Sequence, residues 1–105
     1  MQDFITLVKL SPEIRQKPHQ VRSLIETLNQ EVQNAGGKIV SADGLLGRYD
    51  MCVKCQLPDV KTAFSVWLKA STPFGYTTET FPAIPSQEIQ KVAEEAGRVT
   101  VGSGR

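Results

Sequence analysis

One stretch limits the possible folds of this chain more than any other: Leu45-Leu46-Gly47-Arg48-Tyr49-Asp50-Met51-Cys52-Val53-Lys54-Cys55-Gln56. Strand-like residues flank Gly47-Arg48, which fits a two-residue type II′ hairpin turn with glycine at the first central position. Such a turn pairs Leu46 with Tyr49 and fixes the register of two strands. Val40, Ala42 and Leu46 then share a face with Tyr49, Met51, Val53 and Cys55. Ser41, Asp43 and Leu45 lie opposite Lys54, Cys52 and Asp50 on the other face. One face is apolar and the other mostly polar, as a half-buried antiparallel pair requires. Asp43-Gly44 reads as an irregularity inside the second strand, and a bulge at Gly44 would flip the residues before it.

The flanking sequence supplies the other elements. Phe4-Ile5-Thr6-Leu7-Val8-Lys9-Leu10 is apolar at both parities, which predicts a strand covered on both faces. Ser11-Pro12 caps and opens a short helical turn. Val21, Leu24, Ile25, Leu28, Val32 and Ala35 recur at spacings of three and four, and Gly36-Gly37 stops that helix. After the hairpin, Asp59 is the N-cap of a helix with the stripe Val60, Ala63, Phe64, Trp67 and Leu68. Ser71-Thr72-Pro73 breaks it, and Tyr76 to Phe81 forms a fourth strand. Ser86 caps a last helix with the stripe Ile89, Val92, Ala93 and Ala96, ended by Gly97. The order βαββαβ followed by a helix is α+β: a ferredoxin-like split fold with a four-stranded antiparallel sheet and an extra C-terminal helix. Residues 1–96 form one domain and 97–105 a flexible Gly/Ser tail.

Composition narrows the function classes. A chain of 105 residues is one domain with a modest core, for which oligomerisation is a natural support. The net charge of +1 and the scattered basic residues give no footprint for nucleic acid. No apolar run reaches the ~20 residues of a membrane span, and the N-terminus lacks the pattern of a secretory signal. The expected location is the cytoplasm, with reduced thiols. Cys52 and Cys55 form a C-x-x-C, but on a strand they face opposite ways roughly 10 Å apart. A disulfide needs Cα atoms within about 7 Å. No helix N-terminus follows to activate a thiol, and a zinc site would have only His19 to add. Two independent thiols, no metal and no cofactor are expected.

With these elements in place, the chain resembles the GYD domain family through Gly47, Tyr49 and Asp50, which match its Gly-x-Tyr-Asp signature. The similarity extends to Phe4-Ile5-Thr6-Leu7-Val8-Lys9, Leu57-Pro58-Asp59 and Thr78-Glu79-Thr80. The resemblance implies the architecture of a dimeric α+β barrel, in which two helix-free sheet faces pack together. It lends no catalytic residues.

Asp50 is the most informative candidate. The register puts it on the helix-free face of a central strand near Lys54, where a covering subunit would desolvate it and suit it to acid–base work or ligand anchoring. Its plainer use is to accept backbone hydrogen bonds and fix the turn. Tyr49 is expected in the core with its hydroxyl near the turn. Thr78 and Thr80 could donate hydrogen bonds into a pocket, though threonine also serves β-propensity. Trp67 and Phe64 are expected to pack, and His19 to be solvated. An RNA-recognition motif needs aromatics on the open face of its third strand; Asp50, Cys52 and Lys54 stand there instead. Two functions stay open. One is a homodimer binding a small molecule or protein between its sheet faces, through Asp50, Lys54, Thr78 and Thr80. The alternative is a cofactor-independent oxygenase, isomerase or decarboxylase with Asp50 as acid or base, an expectation from fold analogy.

Overall fold

The computed structural model describes residues 1–71 and 75–102. Its elements are β1 (Gln2–Lys9), α1 (Pro12–Arg15), α2 (Pro18–Asn34), β2 (Lys38–Gly44), β3 (Met51–Leu57), α3 (Val60–Ser71), β4 (Thr77–Ala83) and α4 (Ser86–Gly102). The sheet order is β2-β3-β1-β4, and every neighbouring pair is antiparallel. This is the expected α+β, ferredoxin-like arrangement with one added helix. The doubly apolar β1 is central, and Pro82 is tolerated because β4 is an edge strand. The break expected at Thr72-Pro73 and residues 103–105 of the tail lie outside the described residues.

Alternation in β1 decides which face is covered. Phe4, Thr6 and Val8 are buried with Met51, Val53, Cys55 and Leu57 of β3, beneath Leu24, Leu28 and Val32 of α2 and Ala63, Val66 and Trp67 of α3. Ile5 and Leu7 are half-buried on the opposite face. Thr6 is the buried polar residue of this core, and its hydroxyl meets that of Thr80 at 2.8 Å.

Local signals account for three of the helix ends. The Ser11 hydroxyl accepts the Ile14 N–H, and the Asp59 carboxylate accepts the Thr62 N–H at 2.7 Å. Gly36 takes φ +82°, the left-handed turn expected after α2. Gly37 is needed for a different reason: a Cβ there would stand 2.1 Å from the Gln56 carbonyl oxygen, so β2 can begin against β3 only without one.

The hairpin register holds, with Ser41 opposite Lys54, Ala42 opposite Val53 and Asp43 opposite Cys52. Three details differ. The bulge falls between Ile39 and Ser41, and Gly44 pairs regularly with Met51. The paired strands stop at Gly44 and Met51, and a Leu45 N–H to Asp50 carbonyl bond closes a longer loop around Gly47 at φ +143°. Val40 and Ala42 are exposed, because β2 is an edge strand extending beyond its helix cover, and Leu46 is exposed in the loop that follows it.

The helices carry further corrections. In α3 the buried arc is Ala63, Val66, Trp67 and Ala70, whereas Val60, Phe64 and Leu68 are exposed. The apolar residues wrap around more than half of α3, so their spacing could not tell which arc meets the sheet. Ile25, at the margin of the α2 stripe, is likewise exposed. Gly97 does not end α4, which runs on to Gly102; glycine stops a helix by turning left-handed, and Gly97 keeps a negative φ. Residues 86–97 are all exposed, including Ile89, Val92, Ala93 and Ala96. The radius of gyration is 17.1 Å and the long axis 59 Å, against about 13 Å expected for a compact chain of about 100 residues. The helix α4 projects as an arm. Among the described residues, no helix is long and apolar enough to cross a membrane.

Candidate functional site

The side of the sheet without helices presents a continuous set of side chains. On β1 these are Asp3, Ile5 and Leu7; on β3, Gln56, Lys54 and Cys52 stand directly opposite them. On β4, Phe81 lies opposite Ile5 and Glu79 opposite Leu7. Ile5, Leu7 and the half-exposed Phe81 make an apolar floor, with Lys54 and Glu79 of opposite charge to either side.

Tyr49 joins this face, contrary to the core position expected for it. It precedes β3 proper, and its hydroxyl donates to the Glu79 carboxylate from across β1. Glu79 opposes Leu7, so the pair lies over the open side. That hydrogen bond is the main cause holding the Tyr49 hydroxyl above its ordinary pKa, followed by desolvation and the Glu79 charge, with Arg48 acting in the other direction. Tyr49 is therefore protonated at neutral pH with its one proton spent on Glu79, which leaves its oxygen as an acceptor and makes it unsuited to acting as a base. Alternation shows why Glu79 is easy to miss: it is flanked by Thr78 and Thr80, which carry the polar signal but point the other way.

The proposed site residues do not gather in one place. Lys54 is half-buried on the open face. Thr78 and Thr80 are on the covered side, where they line a groove of about 290 Å³ with Ala63, Phe64, Trp67 and Leu68. Asp50 is half-buried at the junction of β1 and β3: its Oδ2 accepts the Leu10 N–H at 2.7 Å, and its own N–H donates to the Val8 carbonyl. Gly47, Tyr49 and Asp50 thus do separate jobs: bending the hairpin, reaching the open face, and tying the hairpin to β1.

The thiols are free: Cys52 half-buried on the open face and Cys55 buried in the core. Burial, with a smaller push from Asp3, raises the Cys55 pKa to about 11. His19 is exposed. Among the described residues, no cluster of three or more His, Cys, Asp or Glu is placed to hold a metal ion.

The model of the GYD domain matches residues 4–93. No curated protein matches the chain significantly. Among solved structures, 30S ribosomal protein S6 from Thermotoga maritima is similar with a TM-score of 0.60 at 14% identity, over 91% of this chain and 97% of that one. An unknown protein from Galdieria sulphuraria is similar with a TM-score of 0.56 at 19% identity, over 80% of this chain and 46% of that one. A putative glycine cleavage system transcriptional repressor gives 0.51 at 12% identity, with 80% and 46% coverage. The chain spans about half the length of the last two. At these identities the likeness shows the fold alone.

Proposed function

The chain belongs to the GYD domain family, and from that membership we propose a homodimeric binding domain whose open sheet faces meet around a small-molecule ligand. The observation that carries this reading is the makeup of the open face. A contiguous apolar floor of Ile5, Leu7 and Phe81 is bordered by the Tyr49–Glu79 pair and by Lys54. An uncovered apolar surface of this kind on a small domain marks an interface. Its few convergent polar groups would orient what it encloses. The fitting ligand has an apolar body and an anionic or hydrogen-bonding end, held by the Lys54 ammonium and the Tyr49 side of the face.

The enzyme alternative would use Asp50 as acid or base. Its carboxylate oxygen on the Leu10 N–H supports a structural assignment instead, as the anchor between hairpin and β1. Thr78 and Thr80, on the other side of the sheet, do not belong to this ligand site.

The test uses 1-anilinonaphthalene-8-sulfonate, which has an aromatic body and an anionic end. The expected result is saturable fluorescence enhancement, weakened by Lys54→Ala and abolished by Leu7→Arg. Weak, non-saturable enhancement in the wild type, or equal saturable binding by the folded Leu7→Arg variant, would overturn the ligand site.

A further inference from the structure

The groove between α3 and β4, on the helix-covered side of the sheet, contains a buried donor in need of an acceptor. Trp67 lines this groove and is only 4% exposed, and its indole N–H finds no hydrogen-bond acceptor among the described residues. A buried donor left in that state is costly. Buried donors in native folds nearly always have a partner, so this one implies an acceptor that the described residues do not supply. We propose that the groove is a second ligand site, taking an uncharged aromatic carbonyl compound whose oxygen accepts the Trp67 indole N–H.

The walls define the body of the ligand. Ala63, Phe64, Trp67 and Leu68 of α3 line the groove with Thr78 and Thr80 of β4. Phe64 and Trp67 are three positions apart, so one side of α3 brings two aromatic rings to it. Such rings pack against another aromatic system by offset stacking or edge-to-face contact. The groove encloses about 290 Å³. An apolar cavity of ~150 Å³ takes up benzene, so a body of two fused rings is of the right size. A single water, with a share of ~30 Å³, would leave most of the groove unfilled.

The polar groups define its functional group. None of these six side chains is ionisable, so a charged ligand would lose its hydration without gaining a partner. The indole N–H donates and cannot accept, so the ligand must bring the acceptor. Thr80 already shares a hydrogen bond with Thr6 at 2.8 Å. The half-buried Thr78 has a hydroxyl to offer the second lone pair of a carbonyl oxygen. Because the indole nitrogen is sealed from solvent, entry needs a wall that moves, and Phe64, 71% exposed, has room to turn aside. The open face favours an anionic ligand and lies on the other side of the sheet, so the two sites stand or fall separately.

Trp67 is the one tryptophan of the chain, so its indole N–H gives a single cross-peak in a proton–nitrogen correlation spectrum. The probes are 2-acetylnaphthalene and 2-ethylnaphthalene, which share a ring system and differ in the carbonyl group. The ketone should move the indole proton downfield in a saturable way. The hydrocarbon should bind several-fold more weakly and cause no downfield shift. Leu7→Arg, which disrupts the open face, should keep the ketone response. An indole proton unmoved by the ketone up to its solubility would overturn the proposal, as would equal binding of the two probes. Loss of the response in folded Leu7→Arg would place the ketone on the open face and overturn it too. So would cross-relaxation between the indole proton and a bound water that the ketone leaves unchanged, since the donor would then have a water as its acceptor.

Discussion

Cys52 and Cys55 differ by three positions and by a face of the sheet, so the same substitution has two outcomes. Cys55→Ser places a hydroxyl in the core and should cost on the order of 1–3 kcal/mol. Cys52→Ser, on the half-buried face, should be nearly silent; urea denaturation reads both. The Cys55 thiol also gives a pH signature. Its folded pKa of about 11 is raised from 9.0, so the folded state holds the proton more tightly than the unfolded chain does. That stability is fully present below about pH 9 and is lost as pH rises toward 11. Wild type should therefore lose about 1–3 kcal/mol more than Cys55→Ala between pH 8.5 and 11, measured as the difference in urea midpoints. The adjacent glycines separate in the same way. Gly36→Ala meets only the left-handed penalty, roughly 1–2 kcal/mol. Gly37→Ala drives a methyl group into the Gln56 carbonyl and the Leu57 side chain, so it should lower the midpoint further.

At the scale of elements, the sequence showed most of what has a local cause. Ser11, Asp59 and Gly36 are read from the chain because each acts on the backbone within three residues of itself. The hairpin register was legible because the turn and the alternation of polarity agree. Much of what was not legible depends on neighbours far along the chain. The arc of α3 that meets the sheet is chosen by packing on β3 and β4, and three of its apolar residues end outside the core. Tyr49 leaves the expected core because Glu79, thirty residues later, receives its hydroxyl. Asp50 could be placed at the hairpin, but its bond to the Leu10 N–H of another strand could not be read from the chain. On α2 the difference between arcs is measurable. Leu28→Ala should cost about 2–5 kcal/mol as a buried truncation, whereas Ile25→Ala at 40% exposure should cost about 1 kcal/mol or less.

For the whole molecule, the parity of β1 turns the proposed dimer into a contrast between adjacent residues. Thr6 is fully buried under the helices, and its hydroxyl pairs with Thr80. Leu7, its neighbour, is half-buried on the open face between Cys52 and Glu79. An arginine at position 6 must place a charge in an apolar core without a partner, a cost that exceeds the stability of a small domain. An arginine at position 7 has solvent in a lone subunit, and is excluded only where a second sheet covers it. Thr6→Arg should therefore abolish the cooperative thermal transition. Leu7→Arg should retain native-like circular dichroism but halve the mass found by light scattering at micromolar concentration. Should Leu7→Arg keep the wild-type mass, the open faces are not the interface. Should wild type itself run as a folded monomer at high concentration, open-face pairing would not stand.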